Sequence, residues 1–163
     1  MNQPNTSENK FTTASEHHDY TLKLIQEASR SIYIYCHDLT PRIYNHPDIA
    51  DALSKFITKN SAGRDVKILV HDIQYIVNCD HKVLSTYQRL TSNFSIQKMS
   101  QQHIHHTESF VITDKRNTLF RNDYSRFEGS IVTDPLQTKE LLNLFEECWS
   151  QSTTDSNLNR VYL

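Results

Sequence analysis

The chain has 163 residues, of which 37% are apolar and 22% charged, the size and composition of one globular domain with one core. Seventeen basic against nineteen acidic residues give a net charge of -2, so no global positive field draws in a nucleic-acid backbone or an anionic membrane. The three cysteines, Cys36, Cys79 and Cys148, are widely spaced and form no CxxC pair, which argues against a disulfide framework or a zinc ribbon and fits a reducing cytoplasm. No apolar run approaches the roughly 18 residues of a membrane-spanning helix.

Residues 1–12 lack hydrophobic periodicity and read as a disordered leader, 13–150 as the folded body and 151–163 as a polar tail whose last three residues can dock. Thr13 with Glu16 forms a capping box for a first helix that ends near Arg30, with His18, Leu22, Ile25 and Ser29 on one face. His17 and His18 open that helix, and their expected fate is exposure or packing. Ser31–His37 carries bulky residues on both faces and reads as a central strand. A turn around Pro41 follows. Pro47 at a helix N1 position then leads Ile49, Ala52, Leu53, Phe56 and Ile57 at helical spacing, and Asn60–Gly63 stops that helix.

Val66–Val70 closes a strand–helix–strand unit, so it should lie parallel to the first strand. That arrangement places His37-Asp38 and His71-Asp72 at the C-terminal edge of two adjacent parallel strands, where sites are usually built. These four residues, together with Asp114, are the candidate ligand contacts. Asp80 is the expected cap of a third helix bearing Val83, Leu84, Tyr87 and Leu90, and Phe94–Gln97 is a short strand. Glu108–Thr113 and Thr118–Arg121 form a hairpin, Glu128–Thr133 a last strand, and Asp134-Pro135 starts a final helix with Leu141, Leu142, Phe145 and Trp149 on its apolar face. Tyr33, Tyr35, Tyr44, Tyr75 and Tyr87 could stack bases but sit where core or half-buried packing is expected, and Lys55, Lys59, Arg64 and Lys67 are spaced as a solvated face.

Between the third helix and the hairpin lies the most unusual local cluster, His103, His105 and His106. Histidines two apart on a strand share a face, as metal ligands can, but only Glu108 stands near to complete a set, and the plainer reading is a solvated loop rich in His and Gln. The same imidazoles suit a phosphate contact.

The order of elements, the strings RSIYIYCHDLT and IADALSKFITKNSAGRDVKILVHD, and the closing RFEGSIVTDPLQTKELLNLFEECW make residues 15–150 resemble one half of a phospholipase D-like domain. The resemblance implies an α/β half domain, a mixed β-sheet flanked by helices on both faces. In that family a His-x-Lys-x4-Asp motif and a following Gly-Ser-x-Asn stretch run phosphodiester chemistry. The histidine attacks phosphorus, and the lysine and asparagine hold the phosphoryl oxygens. Here, anchoring on Asp114 puts Thr107 at the histidine and Ser109 at the lysine, while anchoring on His105 puts Thr107 at the lysine. No His-x-Lys occurs, and Arg121-Asn122-Asp123 stands where Gly-Ser-x-Asn would be. Glu128 matches the family's orienting glutamate.

The expected function is therefore a non-catalytic binding or assembly module for a phosphate-bearing ligand or a protein partner, with no cofactor. Because the family's chemistry uses two halves, a homodimer or an attached domain is the expected context. Two alternatives stay open. One is a phosphodiesterase or nuclease with an altered site built on His105, His106 and Glu128; the other is a metal binder at His103–His106.

Overall fold

A computed structural model describes residues 9–59, 63–90 and 92–160. The chain runs β1 (Lys10–Phe11), α1 (Ala14–Glu27), β2 (Ser31–Cys36), α2 (Pro41–Tyr44), α3 (Pro47–Thr58), β3 (Asp65–Val70), α4 (Gln74–Asn78) and α5 (Lys82–Arg89). It continues through β4 (Phe94–Lys98), β5 (Ser109–Thr113), β6 (Asn117–Arg121), β7 (Gly129–Val132) and α6 (Pro135–Ser150), with short 3-10 turns at Gln101–His103 and Ser156–Asn159.

The strands make one mixed sheet in the order β1-β7-β6-β5-β2-β3-β4. β2, β3 and β4 are parallel, Ser31 facing Asp65 and Val66 facing Phe94, while β5 runs antiparallel to β2. Alternation along β2 sorts its side chains into two cores. Ile32, Ile34 and Cys36 join Ile68, Val70 and Val111 under α1 to α5, whereas Tyr33 and Tyr35 join Leu69, Phe110 and Ile112 under Leu141, Phe145 and Cys148 of α6. The sheet is thus covered by helices on both faces, the α/β architecture expected of a phospholipase D-like half domain.

Local chemistry sets most boundaries. The Thr13 hydroxyl accepts from Glu16 N–H at 3.1 Å, and Asp134 Oδ1 accepts from Leu136 N–H at 3.0 Å ahead of Pro135. α1 stops at Glu27, three residues before Arg30, because Ala28 turns extended with ψ 140 and leads the chain into β2. The expected Asp80 cap is displaced by one residue: Asp80 sits at φ 54, and the His81 ring Nδ1 accepts from Val83 N–H at 3.2 Å instead. Short helices α2 and α4 occupy stretches whose few residues leave no periodicity to read.

Residues 9–12 are not part of a structureless leader. Lys10–Phe11 pairs with β7, and Phe11 is buried against position 129, where any Cβ would stand 2.4 Å from the Phe11 ring. Gly129 makes that approach sterically feasible. The tail also docks, through a Lys98–Thr153 bridge and buried Leu158, while its last three residues and the Asn60–Ala62 part of the helix stop lie outside the described residues. Of the tyrosines assigned to core or half-buried positions, Tyr75 is half exposed on α4 and the other four are buried. Lys67, placed on a solvated face, lies over the Tyr33 and Trp149 rings at 5.6 and 5.2 Å.

No described helix is long and apolar enough to cross a membrane.

Candidate functional site

Because β5 runs opposite to β2, the C-terminal ends of β2 and β3 share a sheet edge with the start of β5 and the end of β6. His37 and His71 leave that edge side by side: the His37 carbonyl accepts the N–H groups of His71 and Asp72 at 2.9 and 2.8 Å, and their rings lie 5.8 Å apart. A loop after β6 folds over them. Tyr124 N–H donates to Thr107 O at 2.9 Å, which sets the Tyr124 ring flat on His37 at 4.0 Å.

From the other side come the histidines before β5. His103 closes the 3-10 turn and is buried, its Nε2 donating to Gln151 Oε1 at 2.7 Å, and the same oxygen accepts from Gln102. His106 Nδ1 stands 3.6 Å from Glu108 Oε2, with His105 exposed and its ring tilted against that of His106 at 4.5 Å. These histidines belong to a turn, as the loop reading has it, and not to a strand, so the two-residue alternation that a shared metal face would need does not operate. Among the described residues they make no set of three ligand atoms close enough for a metal.

Burial, with His37, His106 and His103 nearby, pushes the His71 imidazole down to about 4 against the opposing pull of Glu108. His71 is therefore neutral at physiological pH. Its Nε2 and His37 Nδ1 are buried without a hydrogen-bond partner, two imidazole nitrogens side by side with unmet capacity.

The remaining candidates divide. Asp38 stands 4.0 Å from His37 Nδ1 and accepts from the Thr40 hydroxyl, so it belongs to the edge. Asp72 caps Gln74 N–H at 2.9 Å and is exposed. Asp114, expected as a ligand contact, is instead at the opposite edge, because it follows β5 and faces the start of β2. Its carboxylate accepts the N–H groups of Ser29, Arg30 and Ser31 at 3.1, 2.7 and 3.1 Å. Glu128 is exposed ahead of β7, and no described hydrogen bond or ion pair joins it to His105 or His106.

Sequence reasoning missed Tyr124 and Gln151, and it did not foresee the burial of Arg121, which it placed where Gly-Ser-x-Asn would be. Arg121 ends β6 on the α1–α2 side and is wholly buried, with Nε, Nη1 and Nη2 unpartnered and Cζ 5.8 Å from the Phe127 ring. Tyr44 Oη, another buried atom without a partner, contributes to its electrostatic surroundings. Only the position of Arg121 at a strand end hinted at a special role.

Residues 13–161 match the model of a domain of unknown function, DUF7931. No curated protein matches the chain. Solved structures share the fold. The archaeal chromatin protein TrmBL2, whose structure is described as showing a novel mode of DNA binding, superposes with TM-score 0.65 at 14% identity, covering 93% of this chain and 56% of that one. NucT from Helicobacter pylori gives 0.63 at 12% identity, over 90% of this chain and 97% of NucT. Phosphatidylserine synthase from Haemophilus influenzae Rd KW20 gives 0.55 at 15% identity, over 90% of this chain and 38% of the synthase. The chain thus spans about half of TrmBL2, nearly all of NucT and little over a third of the synthase.

Proposed function

The chain belongs to the DUF7931 family, and we propose that it is a non-catalytic phospholipase D-like domain whose sheet edge binds a phosphate-bearing ligand. The observation that carries this reading is the pair of unpartnered ring nitrogens, His37 Nδ1 and His71 Nε2, on the edge that the fold offers for a site. The neutral His71 imidazole gives a directional N–H donor, and the Tyr124 ring on His37 supplies an apolar wall for the body of the ligand.

Phosphoryl transfer needs more than donors. Charge building on the phosphoryl oxygens calls for a fixed cation, and the positions that match the family's histidine and lysine are Thr107 and Ser109. The titratable neighbours of His71 are His37, His106, His103 and Glu108, none of them a fixed cation, while Arg121 is buried under Phe127 in the helical layer. A net charge of -2 favours a small phosphate-bearing ligand over a polynucleotide. A second copy or an attached domain completes the two-halved arrangement.

One observation favours a second reading. A carboxylate 3.6 Å from the His106 imidazole is the kind of pair that orients a nucleophilic or basic histidine, so an altered phosphodiesterase is the alternative. Two measurements decide. The His37 and His71 ring resonances are followed as inorganic phosphate is added, with light scattering at micromolar concentration reporting the oligomer; both rings shift together if the edge is the site. Hydrolysis of bis-p-nitrophenyl phosphate without added metal is then compared between wild type and a His105→Ala, His106→Ala double variant. Wild-type turnover that disappears in the double variant replaces the binding module with the phosphodiesterase, and unshifted rings refute the phosphate site.

A further inference from the structure

A second cluster of ligating side chains lies in the helical layer, apart from the sheet edge. His18 sits in the middle of α1, His46 is the residue before α3, and Asp48 is in the first turn of α3. One ring nitrogen of each histidine and one carboxylate oxygen of Asp48 all lie within 4.8 Å of one another, and the two rings are 4.2 Å apart.

The hydrogen bonds around the cluster decide how the rings are oriented. His18 Nδ1 is 2.8 Å from the Ile43 carbonyl, and His46 Nε2 is 2.8 Å from the Arg42 carbonyl. A carbonyl oxygen only accepts, so each of these nitrogens carries a hydrogen, and the opposite nitrogen of each ring is the one available to coordinate. Metal-binding histidines are oriented in this way, the distal N–H held by a backbone carbonyl. His18 Nε2 meanwhile stands 2.8 Å from Asp48 Oδ2. A neutral ring would there point a lone pair at a carboxylate oxygen, so the contact calls for a positive charge between or beside the two atoms.

We propose that His18, His46 and Asp48 bind one divalent cation of the zinc class, with water in the remaining position. Two imidazoles and a carboxylate are a zinc-compatible donor set. Tetrahedral bonds of about 2.0 Å ask for ligand atoms about 3.4 Å apart, a spacing inside the range seen here and reached by small side-chain adjustments. Asp48 has a side chain 46% exposed, so an ion has a path from solvent, whereas His18 is buried beneath it. The bound ion would tie α1 to the α2–α3 segment, two pieces of chain joined at present by the His18 contacts to Ile43 and Asp48. The sequence spacing conceals the set, because His18 lies 28 residues from His46.

The untagged full chain, stripped with chelator and dialysed, is titrated with Zn2+ by calorimetry and its melting temperature is read with and without the ion. One zinc per chain is expected, with a raised melting temperature and at least tenfold weaker binding in both His46→Ala and Asp48→Asn. Those two positions are exposed enough to be changed without emptying the core, and His18→Ala is left out for the opposite reason. His105→Ala, made at the sheet edge, should bind zinc like wild type. Unchanged affinity in His46→Ala and Asp48→Asn, or loss of binding in His105→Ala, would overturn the assignment; so would no binding by the stripped wild type, in which case a proton on His18 supplies the charge.

Discussion

Replacing Asp114 tests whether this residue builds the fold and not the site. Its carboxylate takes three backbone N–H groups and the Ser29 hydroxyl, joining the β5–β6 turn to the entry of β2. Burial alone would raise its carboxyl, but the N–H groups of Arg30, Ser31 and Ser29 and the Ser29 hydroxyl outweigh that and hold it below the ordinary carboxylate value. A hydrogen bond to a charged group contributes about 1.5–3 kcal/mol, and four sharing one partly solvated carboxylate do not add, so the lower end of the range is used. Asp114→Asn keeps an acceptor oxygen and tolerates the φ of 55, and should cost about 1.5 kcal/mol. Asp114→Ala loses every contact and adds left-handed strain of about 1 kcal/mol, for about 2.5 kcal/mol in all, or roughly 5–10 °C in melting temperature at this chain length. A lowered folded value means that the stabilisation is complete above the unfolded value near 4 and is lost as pH falls through the folded one. Urea unfolding of the three proteins at pH 7 and pH 3 measures this. The difference between wild type and Asp114→Asn should shrink at pH 3; a difference below 0.5 kcal/mol (roughly the surface-substitution background) at pH 7 would refute the structural role.

Two further predictions concern buried charge. Burial lowers His17 to about 3 and His71 to about 4, so below the ordinary value of 6.5 the unfolded chain takes up protons that the folded chain refuses. Stability from these two groups is complete above pH 6.5 and falls as pH drops toward 4, by about 2 kcal/mol each; urea midpoints between pH 7 and pH 4.5 should decline, and decline less in His71→Asn. Arg121 is wholly buried with three unpartnered nitrogens, so Arg121→Met, which keeps the volume and removes the charge, should be neutral or stabilise by about 1–3 kcal/mol in denaturant unfolding, and a loss above 2 kcal/mol would reveal partners that the side-chain contacts do not.

The layers were legible because the signals that fix them are local. Ile32, Ile34 and Cys36 alternating with Tyr33 and Tyr35 announced a strand covered on both faces, and Pro47 and Asp134-Pro135 announced helix starts. The His37–His71 neighbourhood followed from one inference, parallel strands joined by a helix. What could not be read depends on contacts between distant segments. Tyr124 reaches His37 because Thr107 holds its N–H, Gln151 reaches His103 from the end of α6, and His18 meets Asp48 across 30 residues. None of these pairs has a period or a spacing that chain order alone displays. The strand weighed against a loop for His103 and His105 does not form for a related reason: the 3-10 turn is closed by the His103 N–H on the Ser100 carbonyl at 3.0 Å, a bond that no alternation pattern signals.

Asp114 also bears on how far a motif can be trusted. In the resemblance to phospholipase D-like domains it anchors the alignment, yet its hydrogen bonds all go to the backbone and hydroxyl groups at the start of β2, at the sheet edge opposite His37 and His71. An aspartate with that duty fastens the turn between β5 and β6 to the start of β2, whichever side chains occupy the far edge. Its presence therefore argues for the fold and is silent on the reaction. The side chains that would decide the reaction stand at the other end of β5, where Thr107, Glu108 and Ser109 offer a hydroxyl, a carboxylate and a buried hydroxyl. A carboxylate at that place, 3.6 Å from an imidazole, pairs with cations and N–H donors and opposes a bare phosphoryl dianion. On the proposed phosphate reading, a ligand would bring its phosphate to the His37 and His71 side of the edge and its neutral or cationic part toward Glu108, a polarity that the His37 and His71 ring shifts can report.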